Sequence, residues 1–221
     1  MKSEYFKSES IEKKTSEMLA KIEWLGGRHE VPLIPEKSAL LVIDMQRYFL
    51  EKESHAYIPS AAAIVPGLKK LILEFISQKR PVTLTRHIDT ADQSGPMARW
   101  WKRGIKKGSP YSEIIEDLYE TDCKIIEKSQ YDAFLGTSLE DFLKENDVLQ
   151  LIICGVMTHL CCESTARSAF MRDLDVFFTI DGTATYNEDF HLASLLNLSH
   201  GFAVPVTVDE ILTRLKAANE N

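Results

Sequence analysis

The sequence predicts an α/β fold: a single three-layer α/β/α domain built around a six-stranded parallel sheet. Three observations indicate this fold: short apolar runs bounded by turn or charged residues, helical apolar stripes between those runs, and hydrophobicity that is continuous within each run. Continuous hydrophobicity is typical of strands that helices cover on both faces. With 221 residues, 44% of them hydrophobic, the chain has the size of one such domain.

The predicted strands are four strong runs and two weaker ones. The strong runs are residues 38–44, 80–86, 149–154 and 175–180, and the weaker ones are residues 123–126 and 203–208. A doubly wound sheet of six strands has the order 3-2-1-4-5-6, and it binds ligands beyond the strand carboxyl ends where the winding reverses. The reversal lies between strands one and four. Asp44 and Cys161 follow those two strands, so we expect them to face each other.

Helical periods alternate with the strands. One apolar stripe consists of Ile64, Val65, Leu68, Leu71, Ile72, Phe75 and Ile76, and a shorter one begins with Leu139, Phe142 and Leu143. An amphipathic segment over residues 10–25, expected to end at Gly26 and Gly27, precedes the first strand. We therefore divide the chain into an N-terminal helical extension, residues 1–37, and the α/β domain, residues 38–221. Residues 88–109 are rich in charge, Gly and Trp and are a candidate lid.

Composition limits the partners that the protein can have. The net charge of −7 argues against nucleic acid and against an anionic membrane surface, because both require a positive face. No apolar stretch is long enough to cross a bilayer, and the first residues lack the apolar core of a signal peptide. We expect a cytoplasmic protein with a small-molecule substrate. Its four cysteines follow no metal-binding spacing, so free thiols are expected.

Asp44 closes an apolar run, and its carboxylate is expected at the mouth of the core. Desolvation there can raise the pKa of a carboxyl group into the range of a general acid or base. The alternative is a structural aspartate that caps the following turn through backbone N–H groups, and position alone gives the two interpretations even weight.

Cys161 lies where the fourth strand passes through Gly155 and Thr158 into an amphipathic helix. Unpaired N–H groups and the helix dipole stabilise a thiolate there, which predicts a lowered thiol pKa and donors for an oxyanion. Cys162 points about 100 degrees further round the helix and is expected to be an inert neighbour, as is Cys154 in its strand.

Three sequence blocks carry a family resemblance: SALLVIDMQRY at residues 38–48, KSQYDAF at 128–134 and GVMTHLCCESTARSAF at 155–170. In this order and spacing, they resemble the signature blocks of the isochorismatase-like cysteine hydrolases, from about residue 38 to 211. The resemblance implies an Asp–Lys–Cys triad of Asp44, Lys128 and Cys161. It also implies a cis peptide between Val156 and Met157 that aims the Met157 and Cys161 N–H groups at one oxyanion.

Lys128 by itself would be interpreted as a solvated surface charge. Within the triad it would hold the Asp44 carboxylate and favour the thiolate. The candidate substrate-binding residues are Gln46, Arg86, Trp100 and Tyr131. Arg86 would clamp a carboxylate, and Trp100 with Trp101 would close over the substrate. The alternatives are a surface ion pair for Arg86, helix packing for the tryptophans and packing beneath Lys128 for Tyr131.

No metal and no other cofactor are expected. Related nicotinamidases bind a metal through an Asp-x-His pair after the second strand, and here that place reads Thr85-Arg-His87. The aspartate is missing, although His87-x-Asp89 could mislead a motif search. A single histidine is more often structural than a ligand.

Two hydrolytic reactions remain, together with one function of another class. The cysteine favours cleavage of an amide or related C–N bond through a thioester. His159 and the segments 169–173 and 181–184 look closer to isochorismatases, which protonate a vinyl ether and need no covalent intermediate. The adjacent Cys161 and Cys162 could instead form a thiol redox sensor, or the fold could be a non-catalytic module. The resemblance also implies a homo-oligomer, a dimer or tetramer. The helix at residues 10–25 lies outside the repeating strands and helices and is a candidate intersubunit arm.

Overall fold

The computed structural model describes residues 1–25, 28–89, 95–101 and 104–218. Six parallel strands form one sheet in the spatial order β3-β2-β1-β4-β5-β6, with helices on both sides. The predicted fold class and strand order are confirmed. The strands are β1 (Ser38–Ile43), β2 (Val82–His87), β3 (Lys124–Lys128), β4 (Gln150–Val156), β5 (Asp175–Ala184) and β6 (Val204–Val206).

Two strands differ most from their predicted lengths. β5 runs four residues beyond the predicted end, through the polar Asp181-Gly-Thr183, because its pairing with β4 shifts between Ile153 and Gly155 and then resumes. β6 is shorter and contains Pro205. It forms an edge of the sheet, where a residue without an N–H is tolerated.

Eight α-helices are seen in the described residues. They are α1 (Ile11–Leu25), α2 (Arg47–Leu50), α3 (Ala61–Ser77), α4 (Pro96–Trp100), α5 (Leu139–Glu145), α6 (Glu163–Phe170), α7 (Glu188–Gly201) and α8 (Val208–Ala218). The predicted apolar stripe of α3 is buried at Ile64, Leu68, Leu71, Ile72 and Phe75. None of the helices in the described ranges is long and apolar enough to cross a membrane.

The N-terminal extension packs on its own chain. Met18 and Ile22 of α1 are buried, and α1 contacts β5 and α7. Tyr5 and Phe6, which precede α1, belong to the same hydrophobic core as the strands. The apolar face that an intersubunit arm would need is therefore covered within one chain, and the oligomeric state stays a prediction. The predicted helix end at Gly26 and Gly27 lies outside the described residues.

The carboxyl ends of β1 and β4 come unusually close together. Gly155 has φ +108°, and a Cβ at this position would lie 2.1 Å from the carbonyl oxygen of Ile43. Only glycine allows both this backbone conformation and this approach. Gly155 thus lets the segment after β4 pass beside the end of β1, where Asp44 begins the next turn.

The candidate lid is described only in part, because residues 90–94 and 102–103 lie outside the described ranges. Its two described ends are joined where the Asp89 N–H donates to the Ile105 carbonyl at 2.9 Å. Ile105 is buried. Both ends are therefore fixed at the carboxyl end of β2.

Candidate active site

Asp44 is held in one orientation at the end of β1. It is fully buried and has φ 51°, a left-handed conformation that is uncommon outside glycine. The Thr85 hydroxyl of β2 donates to Asp44 Oδ1 at 2.7 Å, and the Asp44 N–H donates to the Thr85 carbonyl at 3.2 Å. These bonds leave Oδ2 directed toward Lys128.

Lys128 is buried at the end of β3 and contacts both other predicted triad members. Its Nζ lies 2.7 Å from Asp44 Oδ2 and 3.3 Å from Cys161 Sγ. It also donates to the Gln130 carbonyl at 2.9 Å. Burial lowers the pKa of Lys128, but attraction to Asp44 and Cys161 outweighs it, so the pKa lies above its ordinary value. The ammonium therefore stays charged at neutral pH. It is buried, so the solvated-surface interpretation of Lys128 is wrong.

Cys161 lies in a π-helical turn, Thr158–Cys162, that joins β4 to α6. The peptide between Val156 and Met157, just before this turn, is cis. Burial raises the pKa of the Cys161 thiol to about 12, and the Lys128 ammonium only partly opposes it. The lowered pKa expected from a helix N-terminus is therefore not found, because desolvation of the thiolate is the larger effect. A hydrogen bond to Asp44 also favours the neutral thiol.

A small cavity of about 70 Å³ opens onto the Cys161 thiol. Its wall is mostly aromatic and aliphatic, and the residues that line it are Tyr48, Phe49, His55, Ala56, His87, Asp89, Met97, Trp101, Gly104, Ile105, Tyr131, Met157, Leu160, Cys161 and Tyr186. Tyr131 and Met157, two of the predicted site residues, are among them, and their roles in binding and catalysis stay predictions.

Three predicted substrate-binding residues do not line this cavity. Arg86 points to Glu127 and Glu113, at 2.6 and 3.3 Å, which is the surface ion-pair alternative. Gln46 is fully buried, and its amide bonds to both the N–H and the carbonyl of His87, at 2.7 and 3.1 Å. Gln46 therefore joins the ends of β1 and β2 and supports the site from outside the cavity.

The two adjacent tryptophans have different surroundings. Trp100 is 78% exposed, whereas Trp101 lines the cavity and its indole N–H donates to the Tyr131 hydroxyl. A short helix, α4, turns consecutive side chains to different sides, and the sequence carries no signal for which side faces the cavity.

Sequence reasoning missed several lining residues. Tyr48 belongs to the first signature block, so that block could have indicated it. His55 and Tyr186 lie in irregular segments without a recognisable pattern. Leu160 lies in the π-helical turn Thr158–Cys162. We call this turn the nucleophile turn, after the predicted nucleophile Cys161.

The side chains of Asp44, His87 and Cys161 lie close enough to be considered as metal ligands, since their donor atoms are within 4.8 Å of one another. The Lys128 ammonium, however, contacts two of these three donors. A divalent cation shared by the three would meet this buried positive charge at short range. These residues therefore do not fit a metal site, and no step of the reaction is assigned to a metal.

Comparison with known proteins identifies the family. The family model described as Isochorismatase domain matches residues 38–210. The chain therefore belongs to the isochorismatase family of hydrolases, as the three sequence blocks indicated.

Individual relatives agree with this assignment and differ in their reactions. Nicotinamidase 3 of Arabidopsis thaliana is 37% identical over 79% of this chain and 86% of its own. The isochorismatase of Bacillus subtilis is 30% identical over 83% of this chain and 60% of its own. The crystal structure of a cysteine hydrolase from Pseudomonas syringae pv. phaseolicola superposes with a TM-score of 0.83, at 29% identity, over 86% of this chain and 98% of that one.

Proposed function

We propose that the protein hydrolyses the amide bond of a small, uncharged aromatic carboxamide through a thioester on Cys161. The observation that carries this proposal is that Lys128 Nζ contacts both Cys161 Sγ and Asp44 Oδ2, and that Cys161 lines a mostly aromatic and aliphatic cavity. The 37% identity to a protein named nicotinamidase supports the choice of amide chemistry.

Asp44 serves as the base in the first step. Because the thiol is neutral in the resting site, its proton passes to the Asp44 carboxylate as sulfur attacks the amide carbon. The C–N bond then breaks, and Asp44 returns the proton to the leaving nitrogen. A water molecule attacks the thioester and gives a proton to Asp44, and this proton passes to Cys161 as the carboxylic acid leaves.

Lys128 and two backbone N–H groups stabilise charge during these steps. The ammonium lies 3.3 Å from sulfur and 2.7 Å from the carboxylate, so it favours the thiolate that forms transiently and keeps Asp44 in place. The backbone N–H groups of Met157 and Cys161 are assigned to the oxyanion. Both residues line the cavity.

The charge of the cavity wall favours an uncharged substrate. Among the described residues that line it, Asp89 supplies a carboxylate and none is Lys or Arg. Arg86, the candidate carboxylate clamp, is engaged by two glutamates outside the cavity. Isochorismate carries two carboxylates, which this wall would leave without a cationic partner. Nicotinamide, which is uncharged and has a single ring, is the first substrate to test.

The test compares Cys161→Ala with Cys162→Ala as a matched control. Cys162 is fully buried and does not line the cavity. We expect Cys161→Ala to lower kcat for nicotinamide by several orders of magnitude and Cys162→Ala to lower it by less than about tenfold. Rapid quenching of the wild-type protein should trap an acyl group on Cys161, seen as a mass increase of the peptide that contains it.

The isochorismatase reaction is the second candidate, and the neutral Cys161 thiol and the 30% identity to an isochorismatase favour it. In that reaction Asp44 protonates a vinyl ether, so Asp44→Asn abolishes turnover of isochorismate while Cys161→Ala costs at most about tenfold. This pattern, with no acyl adduct on Cys161, would replace the amide proposal. Hydrolysis of neither nicotinamide nor isochorismate by the wild-type protein would point to a redox-sensing or non-catalytic function.

A further inference from the structure

The first six residues lie outside the segment that matches the family, residues 38–210, yet they contact three parts of the active site. We call residues 1–6 the N-terminal strap. Its anchor is the Ser60 hydroxyl at the start of α3, which accepts from the N–H groups of Tyr5 and Phe6 at 2.9 and 3.0 Å. The anchor fixes the backbone of the strap beside the carboxyl end of the sheet.

Tyr5 reaches the nucleophile turn through one histidine. Its hydroxyl lies 2.9 Å from Nδ1 of His191, and the same nitrogen lies 3.0 Å from Oγ1 of Thr158. Thr158 is the first residue of the nucleophile turn, three positions before Cys161. The Tyr5 oxygen also accepts from the Thr185 N–H at 3.0 Å. Tyr5 therefore joins the end of β5 to the turn that carries the thiol.

The protonation states in this chain of contacts are fixed by burial. Burial lowers the pKa of His191 to about 3, so its imidazole is neutral. Because the Tyr5 oxygen accepts from Thr185, its own proton is free to be donated to His191 Nδ1. Thr158 and His191 are both fully buried. The Tyr5 and Thr158 hydroxyls both lie within hydrogen-bond distance of the one Nδ1 lone pair, so these buried groups depend on one another for hydrogen bonds.

The strap also holds two residues of the cavity wall. The Ser3 N–H donates to the Tyr186 carbonyl at 2.8 Å, and the Lys2 ammonium lies 4.4 Å from the centre of the Tyr186 ring. The same ammonium donates to the His55 carbonyl at 2.5 Å. Lys2 thus connects the segments that bring His55 and Tyr186 to the cavity.

We propose that the N-terminal strap completes the active site, with Tyr5 as a positioning residue for the nucleophile turn and Lys2 as a positioning residue for the cavity wall. This inference rests on the proposed amide hydrolysis for its kinetic readout. It assigns a role in turnover to residues that the family domain does not include. The two residues affect different kinetic constants. Tyr5 positions the thiol, so its substitution should lower kcat, whereas Lys2 positions the cavity wall, so its substitution should raise KM.

The experiment measures kcat and KM for nicotinamide in Tyr5→Phe and Lys2→Ala. Tyr5→Phe removes one hydroxyl from the buried chain, and we expect kcat to fall about tenfold with KM unchanged. Lys2→Ala, on an exposed residue, should raise KM at least about threefold with kcat unchanged. Tyr119→Phe, the same chemical change at an exposed tyrosine, is the matched control and should keep both constants.

A second readout does not depend on the amide reaction. The rate at which iodoacetamide alkylates Cys161, followed by mass spectrometry, reports the position of the thiol in the wild type and each variant. We expect Tyr5→Phe to change this rate at least about threefold and Tyr119→Phe to leave it unchanged. Combining Tyr5→Phe with Thr158→Val should change it no further than Thr158→Val alone, because both act on one chain of contacts.

The two readouts separate failure of this inference from failure of the proposed function. If the wild type does not cleave nicotinamide, the proposed substrate is wrong and the alkylation rates still decide the role of Tyr5. If Tyr5→Phe only lowers Tm while kcat and the alkylation rate at 20 °C stay at wild-type values, the residue is merely structural. That result would overturn the inference.

Discussion

The buried ion pair between Lys128 and Asp44 allows a quantitative prediction for Lys128→Met. Both side chains are fully buried and their charged atoms are 2.7 Å apart. At that distance two unit charges attract by about 6 kcal/mol with an effective dielectric constant of about 20. The substitution keeps much of the side-chain volume and leaves the Asp44 carboxylate without its buried counter-charge.

The expected cost is smaller than the full attraction, because the wild type has already lost the hydration of both charges. Breaking one side of a buried pair typically costs about 3–5 kcal/mol, and we expect a loss of this size in the free energy of unfolding of Lys128→Met. The double variant Asp44→Asn, Lys128→Met removes both charges and should recover part of that loss. The pairing raises the pKa of Lys128, so its contribution is fully present below the ordinary lysine pKa and is lost only as the pH rises through the folded-state value.

Urea unfolding at pH 7, followed by circular dichroism, measures these differences. Lys144→Met is the matched control, because Lys144 forms an ion pair with Glu140 at 2.6 Å while its side chain is 71% exposed. That variant should unfold close to the wild-type urea midpoint. A loss below about 1 kcal/mol for Lys128→Met, or an equal loss in the double variant, would refute the reasoning.

Two further predictions concern the thiol and the metal. Burial raises the pKa of Cys161 to about 12. The rate at which iodoacetamide alkylates Cys161 should therefore rise about tenfold per pH unit between about pH 7 and 9. A rate that does not change over this range would reveal a preformed thiolate. Because Lys128 contacts both Asp44 and Cys161, EDTA should leave turnover unchanged and elemental analysis should find no stoichiometric zinc or iron. Activity lost on chelation and restored by a divalent ion would contradict that expectation.

The fold was predictable because its strands are signalled locally. The runs that became β1, β2 and β4 are continuous and apolar, and their ends shift by at most two residues in the structure. The end of β5 was not predictable, because its last residues include the polar Asp181 and Thr183. The strand continues through them because β5 resumes its pairing with the neighbouring β4. Tertiary pairing there outweighs the local pattern.

Some residues of the candidate site could likewise be predicted from the sequence, and others could not. Asp44 and Cys161 follow strands whose positions in the sheet are set by the topology, so their meeting could be expected. Lys128 required the family resemblance, since its own sequence looks like a surface lysine. The thiol pKa depends on burial, which no local pattern reports. The roles of Tyr5 and Trp101 depend on contacts between segments that are distant in sequence.

The contact between Gly104 and Asp89 has a consequence for altering the substrate range. A Cβ at position 104 would lie 1.4 Å from Asp89 Oδ2, and both residues line the cavity. Any side chain at this position must push the carboxylate aside, which changes the volume and polarity of the wall. The atoms nearest to the added Cβ all belong to Asp89 and none to Asp44, Lys128 or Cys161. Position 104 is therefore a natural starting point for laboratory evolution of new specificities, because the cavity wall can be varied there at a position that is not one of the proposed catalytic residues.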